Sequence, residues 1–398
     1  MCKKEMGSKQ ERHVVDEVYG FIKVFNDGSV ERPIFPGGLS PSNPTHFVEG
    51  VATRDVTIDP TTNIWARIFL PKPPSPSSRI GRKKIPLVLH FHGGGFCSGS
   101  PHAKAFHTFC SRMASQSQSI WVSVDYRLAP EHRLPAAYDD AFTALMWIHA
   151  QSIIQRNSKS LHPAQLQDGH NDDDDDDDDV HEATTHGHDS NGGHGEHATL
   201  ARLESDDDVH LLPGNAYPWL FRYADFQNLF LAGESSGGTI VHYLNMRILN
   251  LDLSPIQIRG RLIIHGAFLI KGVFNSISFY PNMERRPNTH RRLMLPEGED
   301  LDHPLVDPFH PNAPTLRDIH LPPSLIVIAE LDELCKSARY YANVLRQYGH
   351  EVDVHFTVGC HHCFHLKEPS HIESVRIFEH LAAFIQAHCV LTKCESKL

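Results

Sequence analysis

Between Leu229 and Ile240 an apolar run leads without a break into Gly233-Glu234-Ser235-Ser236-Gly237 and then into a helix-like pattern. A sharp strand-to-helix turn around a G-x-S-x-G serine lifts the hydroxyl clear of the sheet, where a neighbouring base can activate it. The turn tolerates no bulk on its inner side, which gives Gly233 and Gly237 a steric reason to be glycine. The pentapeptide alone occurs in many unrelated chains, so its weight depends on what else the sequence supplies.

Upstream, Ile85-Pro-Leu-Val-Leu-His-Phe91 reads as a buried strand and runs at once into His92-Gly93-Gly94-Gly95. Read alone, this is a glycine-rich turn after a strand. Set beside a G-x-S-x-G serine, it matches the signature whose backbone N–H groups hold a developing alkoxide. Gly93 and Gly94 are the expected donors, with the N–H of Ser236 completing the set.

A serine presented in this way needs an acid and a histidine later in the chain, in the order Ser, acid, His. Ser324-Leu-Ile-Val-Ile-Ala329 is an apolar strand ending in Glu330-Leu-Asp-Glu-Leu334, which puts Asp332 at its carboxyl end, where catalytic groups gather in open α/β sheets. A helical stretch from Ala338 to Tyr348 and an alternating strand from Val352 to Thr357 lead to Gly359-Cys-His-His-Cys-Phe-His365. The base is expected in this cluster, at His361, His362 or His365.

Together, His92-Gly-Gly-Gly95, Asp125-Tyr-Arg-Leu-Ala-Pro-Glu131, Pro135-Ala-Ala137, Gly233-Glu-Ser-Ser-Gly-Gly238, Leu295-Pro-Glu-Gly298 and His362-Cys-Phe-His365 resemble the plant carboxylesterases of the hormone-sensitive-lipase-like group. The resemblance covers roughly residues 15 to 390, apart from one insertion. It implies an α/β-hydrolase fold, a mostly parallel central sheet flanked by helices, with an N-terminal lid segment supplied by Val15 to Val24. It also selects His362 as the base and Asp332 as the acid. For Asp125 to Glu131 it implies packing beneath the glycine loop, and charged residues at a strand end are expected to be tied into fixed networks. Three residues depart from the family pattern: Glu234 stands where aspartate is common, Thr239 where asparagine is common, and Lys336 where a second aspartate usually sits. An ammonium at the rim of the site would favour anionic groups if it faced inward. The stretch from Phe279 to Arg292 is also shorter than is usual in the family.

Composition sets outer limits. At 398 residues with 40% hydrophobic content, the chain has material for one large α/β domain. No apolar run approaches a membrane span, and the charged N-terminal decapeptide has no apolar core of the secretory kind. Eight cysteines in such a chain are expected to be free thiols. Cys360-x-x-Cys363 with its histidines could suggest zinc, but consecutive residues seldom point at one ion and no second ligand pair follows at a zinc-site spacing.

The net charge of −11 is unevenly spread. Residues 157–212 hold sixteen acidic residues against Lys159 and Arg202, a local balance of −14 that leaves the remainder near +3. With Asp172 to Asp179 unbroken and eight histidines between His162 and His210, this segment is expected to be a disordered surface insertion. Ser396-Lys397-Leu398 has the form of a peroxisomal address read by an import receptor, with the cytoplasm as the alternative location.

The expectation is a serine esterase acting on a small-molecule ester without a metal, a cofactor or nucleic acid. A non-catalytic hormone receptor on the same scaffold is the main competitor, since the related gibberellin receptors lack the base. A dehydratase is the other, and its relatives carry threonine in place of Ser235.

Overall fold

The computed structural model describes residues 11–32, 37–72, 84–161, 216–274, 285–286, 288–300 and 302–390. Most of the acidic insertion, residues 279–284 and 287 of the stretch that looked short, and Ser396-Lys397-Leu398 lie outside these.

Eight strands form the central sheet: β4 (Val51–Asp59), β5 (Ile64–Pro71), β6 (Ile85–Phe91), β7 (Ile120–Asp125), β8 (Ala224–Glu234), β9 (Ile258–Ile264), β10 (Ser324–Ala329) and β11 (Val352–Thr357). Their spatial order is β11-β10-β9-β8-β6-β7-β5-β4, with parallel pairing from β11 through β7 and antiparallel pairing on both sides of β5. Strands covered on both faces read as continuous apolar runs, and β6, β10 and the Leu229–Ala232 part of β8 are of that kind.

Alternate side chains serve two separate cores. Leu87, Leu89, Phe91, Leu229 and Leu231 face a core that also takes residues of α2 (Ala136–Leu161), α4 (Ser236–Ile248) and α6 (Cys335–Gln347). Val88, Phe230, Ala232, Leu325 and Val327 face the other, built with α1 (Lys104–Ser117), the short α7 (Phe364–Lys367) and α8 (Ile372–His388). The short α3 (Pro218–Tyr223) leads into β8. Among the described residues no helix is long and apolar enough to cross a membrane.

Two boundaries differ from the sequence reading. Helix α6 begins at Cys335 rather than Ala338, because the turn at Asp332 starts it early: Asp332 Oδ1 accepts the Leu334 N–H at 2.9 Å. Helix α2 continues to Leu161, a few residues into the stretch set apart by charge.

The N-terminal segment forms a small antiparallel sheet of β1 (Val14–Val18), β2 (Ile22–Phe25) and β3 (Val30–Glu31). Val18 and Ile22 are buried in the first core. The Arg285 N–H donates to the Glu17 carbonyl at 2.9 Å, and Arg292 pairs with Asp16, so this sheet rests on α5 (Thr289–Met294).

Candidate active site

Ser235 occupies the single residue between β8 and α4, with φ 52° and ψ −117°. A positive φ on a non-glycine residue costs on the order of 1–3 kcal/mol and persists only where its surroundings enforce it. Here the Ser235 N–H donates to the Ile264 carbonyl at 2.9 Å, and its own carbonyl accepts from Ala267 at 2.9 Å. The glycines behave as the motif requires. A Cβ on Gly233 would lie 2.3 Å from the Gly237 carbonyl, and one on Gly237 would lie 1.9 Å from the Phe91 oxygen.

The structure brings three of the sequence-selected residues into one hydrogen-bonded chain. Ser235 Oγ is 2.9 Å from His362 Nε2, and His362 Nδ1 is 2.7 Å from Asp332 Oδ2. With Nδ1–H donating to the carboxylate, Nε2 is left to accept the serine hydroxyl proton. Ser235 and Asp332 are buried, while the His362 side chain keeps about a quarter of its surface. Burial works against the charged imidazole, but the neighbouring Cys363 and Asp332 outweigh it and hold His362 well above the ordinary imidazole value. Burial likewise opposes the Asp332 carboxylate; the charge and hydrogen bond of His362, with the Leu334 N–H, overcome it and keep that carboxyl below its usual range.

The other two candidates in the cluster are placed elsewhere. His361 is exposed. His365 is buried against Phe109 and His265, and burial depresses its pKa to about 3. Cys360 and Cys363 are free thiols, and among the described residues no group of three or more His, Cys, Asp or Glu side chains is placed to hold a metal ion.

The glycine loop faces the serine. A Cβ on Gly93 would stand 3.3 Å from Ser235 Cβ, and Gly94, at φ 119°, would drive one to 2.0 Å from the Ser98 oxygen. Ser236 is the first residue of α4, where N–H groups have no partner within the helix. Gly95 is constrained from outside the loop: its carbonyl accepts from His290 Nε2 at 2.8 Å, leaving no room for a side chain.

The Asp125–Glu131 segment supports that loop as expected. Tyr126 stacks on the His92 ring and donates its hydroxyl to the His92 carbonyl at 2.7 Å. The Ala129 N–H bonds the Phe96 oxygen, Arg127 is clamped by buried Asp140, and Arg32 joins Glu131 to the Cys97 and Ala129 carbonyls. Burial raises the Asp125 carboxyl to about 6.

Two contributors were missed in the sequence. His265, just past β9, accepts the Cys363 N–H at 3.1 Å and so pins the loop that carries His362; a histidine at a strand's carboxyl end was the available signal. His290 has no such signal, since its contact with Gly95 joins residues 195 apart in sequence. Lys336 is exposed and shares the lining of a cavity of about 580 Å³ with Asp332, Glu333, Arg339, Val273 and Phe274.

A family model described as alpha/beta hydrolase fold matches residues 88–366, a span that holds the glycine loop, Ser235, Asp332 and His362. Tuliposide A-converting enzyme 2, chloroplastic, of Tulipa gesneriana is 30% identical over 377 residues, covering 94% of this chain and 79% of that one. A 2-hydroxyisoflavanone dehydratase of Glycyrrhiza echinata is 26% identical over 93% of this chain and 95% of its own. Probable carboxylesterase 6 of Arabidopsis thaliana is 28% identical over 94% and 91%. Among solved structures, an esterase from Pyrobaculum calidifontis superposes with a TM-score of 0.56 at 22% identity, over 87% of this chain and 88% of that one. The sheet order, the strand-turn-helix around Ser235 and these matches agree: the chain belongs to the α/β-hydrolase fold family, among its plant carboxylesterase-like members.

Proposed function

We propose that this protein is a serine carboxylesterase acting on small carboxylic esters. The observation that carries the reading is the unbroken chain from Ser235 Oγ through His362 to Asp332, at 2.9 and 2.7 Å. In it, Ser235 attacks the ester carbonyl as His362 Nε2 takes its proton, and Asp332 holds the imidazole in the required tautomer and stabilises its charged form. The N–H groups of Gly93, Gly94 and Ser236 receive the oxyanion, a contribution on the order of 2.7–4 kcal/mol per donor. His362 returns its proton to the leaving alcohol and an acyl group remains on Ser235; His362 then takes a proton from water as that water attacks the acyl carbonyl, and gives it to Ser235 Oγ as the acyl bond breaks and the acid leaves.

A dehydratase is the second reading, because one relative carries that name over nearly its whole length. A dehydratase has no need of an acyl-enzyme, so the two separate on covalent chemistry. A chain-length series of aryl esters, assayed with wild type and Ser235→Ala, tests the esterase reading: wild type turns over the short esters and the variant does not. Wild-type turnover no faster than that of Ser235→Ala contradicts it.

A further inference from the structure

Next to the site lies a second polar group that the proposed chemistry leaves unused. His90, on β6, is fully buried, and its Nε2 is 2.9 Å from both carboxylate oxygens of Glu234, also fully buried. Its Nδ1 is 2.9 Å from Ser123 Oγ on β7 and 3.4 Å from Cys110 Sγ on α1, and Phe109 and Trp121 enclose the ring. Burial opposes a charged imidazole here, while Cys110 and Glu234 favour it and raise the group to about 10; in the charged form the ring carries one N–H for Glu234 and one for Ser123.

Buried ion pairs seldom stabilise a fold more than apolar residues of the same shape, so this one calls for a role other than stability. Its position supplies one. Glu234 is the residue immediately before Ser235. On the β9 side the strained serine is held by main-chain bonds to Ile264 and Ala267. On the β6 side the ladder ends at the Phe91–Gly233 pair, because β6 then departs into the glycine loop. Past that point the His90–Glu234 contact ties the end of β8 back to β6, and glutamate has the reach: an aspartate would carry the carboxylate one methylene short of the ring.

We propose that His90 is a positioning residue for Ser235, acting through Glu234: the pair clamps the β6 side of the turn so that Ser235 keeps its left-handed backbone and its Oγ stays aligned with His362. This rests on Ser235 being the nucleophile, as proposed above. Two variants test it, assayed per site titrated with a fluorophosphonate. His90→Phe with Glu234→Leu removes both partners and leaves apolar groups of similar shape, so the protein stays folded with a melting temperature within a few degrees of wild type. Its kcat falls about 10- to 100-fold at unchanged KM, the scale expected when a reacting group is displaced by a fraction of an ångström to one ångström. Glu234→Gln, which keeps the volume and one acceptor, shows a smaller loss in the same sense. If both variants keep wild-type kcat per titrated site, the tie does not position Ser235, and a lowered melting temperature with intact kcat assigns the pair to stability alone. A wild-type protein that hydrolyses no ester would instead overturn the reading of the site.

Discussion

Asp332 accepts the Nδ1–H of His362 at 2.7 Å while its other carboxylate oxygen is held by the Leu334 N–H, so one side chain both orients the imidazole and starts the turn into α6. Of the neighbouring carboxylates, Glu330 is engaged elsewhere, accepting the Gly359 N–H at 2.8 Å.

Asp332→Asn should therefore fold and lose up to ~10⁴ in kcat, because the amide favours the wrong imidazole tautomer. Steady-state kinetics with an aryl ester checks this. Near-normal turnover would move the acid role to another residue.

The same contact sets a pH dependence. Asp332 favours the charged imidazole, whereas catalysis needs it neutral, so the acid limb of kcat/KM should have its midpoint above 6.5, the ordinary imidazole value. The stabilisation from this pair is complete between the unfolded-state values of Asp332, 3.8, and His362, 6.5; it is lost as pH rises through the higher folded value of His362 and as pH falls through the lower folded value of Asp332. Imidazole NMR titration of wild type and Asp332→Asn should show the His362 midpoint moving down in the variant; an upward move would contradict the assignment.

Among the clustered histidines, His362→Ala should cost several orders of magnitude in kcat. His361→Ala, altering an exposed side chain, should leave kcat within about a factor of two, surface changes of that kind being nearly neutral. His365→Ala empties a buried ring position beside Phe109 and Phe378 and should lower the melting temperature more than the turnover. Loss of activity in His361→Ala instead would shift the register by one.

The architecture, Ser235 and Asp332 were legible because each carries a local signature: apolar runs that pass into glycine-rich turns at 92–95 and 233–237, and an apolar strand that leads to Asp332. The choice of His362 over His361 came from resemblance, and the structure explains it through the turn at Cys363, whose N–H is held by His265. What stayed illegible depends on contacts distant in sequence. Nothing local to His90 announces Glu234, and nothing local to Gly95 announces His290.

The Gly95–His290 contact can be tested by itself. At φ 61°, Gly95→Ala would set a methyl 2.1 Å from His290 Nε2, so thermal melting should show a marked loss of stability. Since the ring is part of a packed helix rather than a flexible chain end, relief should come only in combination with a smaller residue at 290. An unchanged melting temperature for the single variant would show that the loop and α5 are not in contact.

The most direct test of the central claim is covalent. A fluorophosphonate should add one phosphonyl group to the protein, peptide mapping should place it on Ser235, and Ser235→Ala should take up none. A wild-type protein whose intact mass does not change, or an adduct on any residue other than Ser235, would contradict the claim that this serine is the nucleophile.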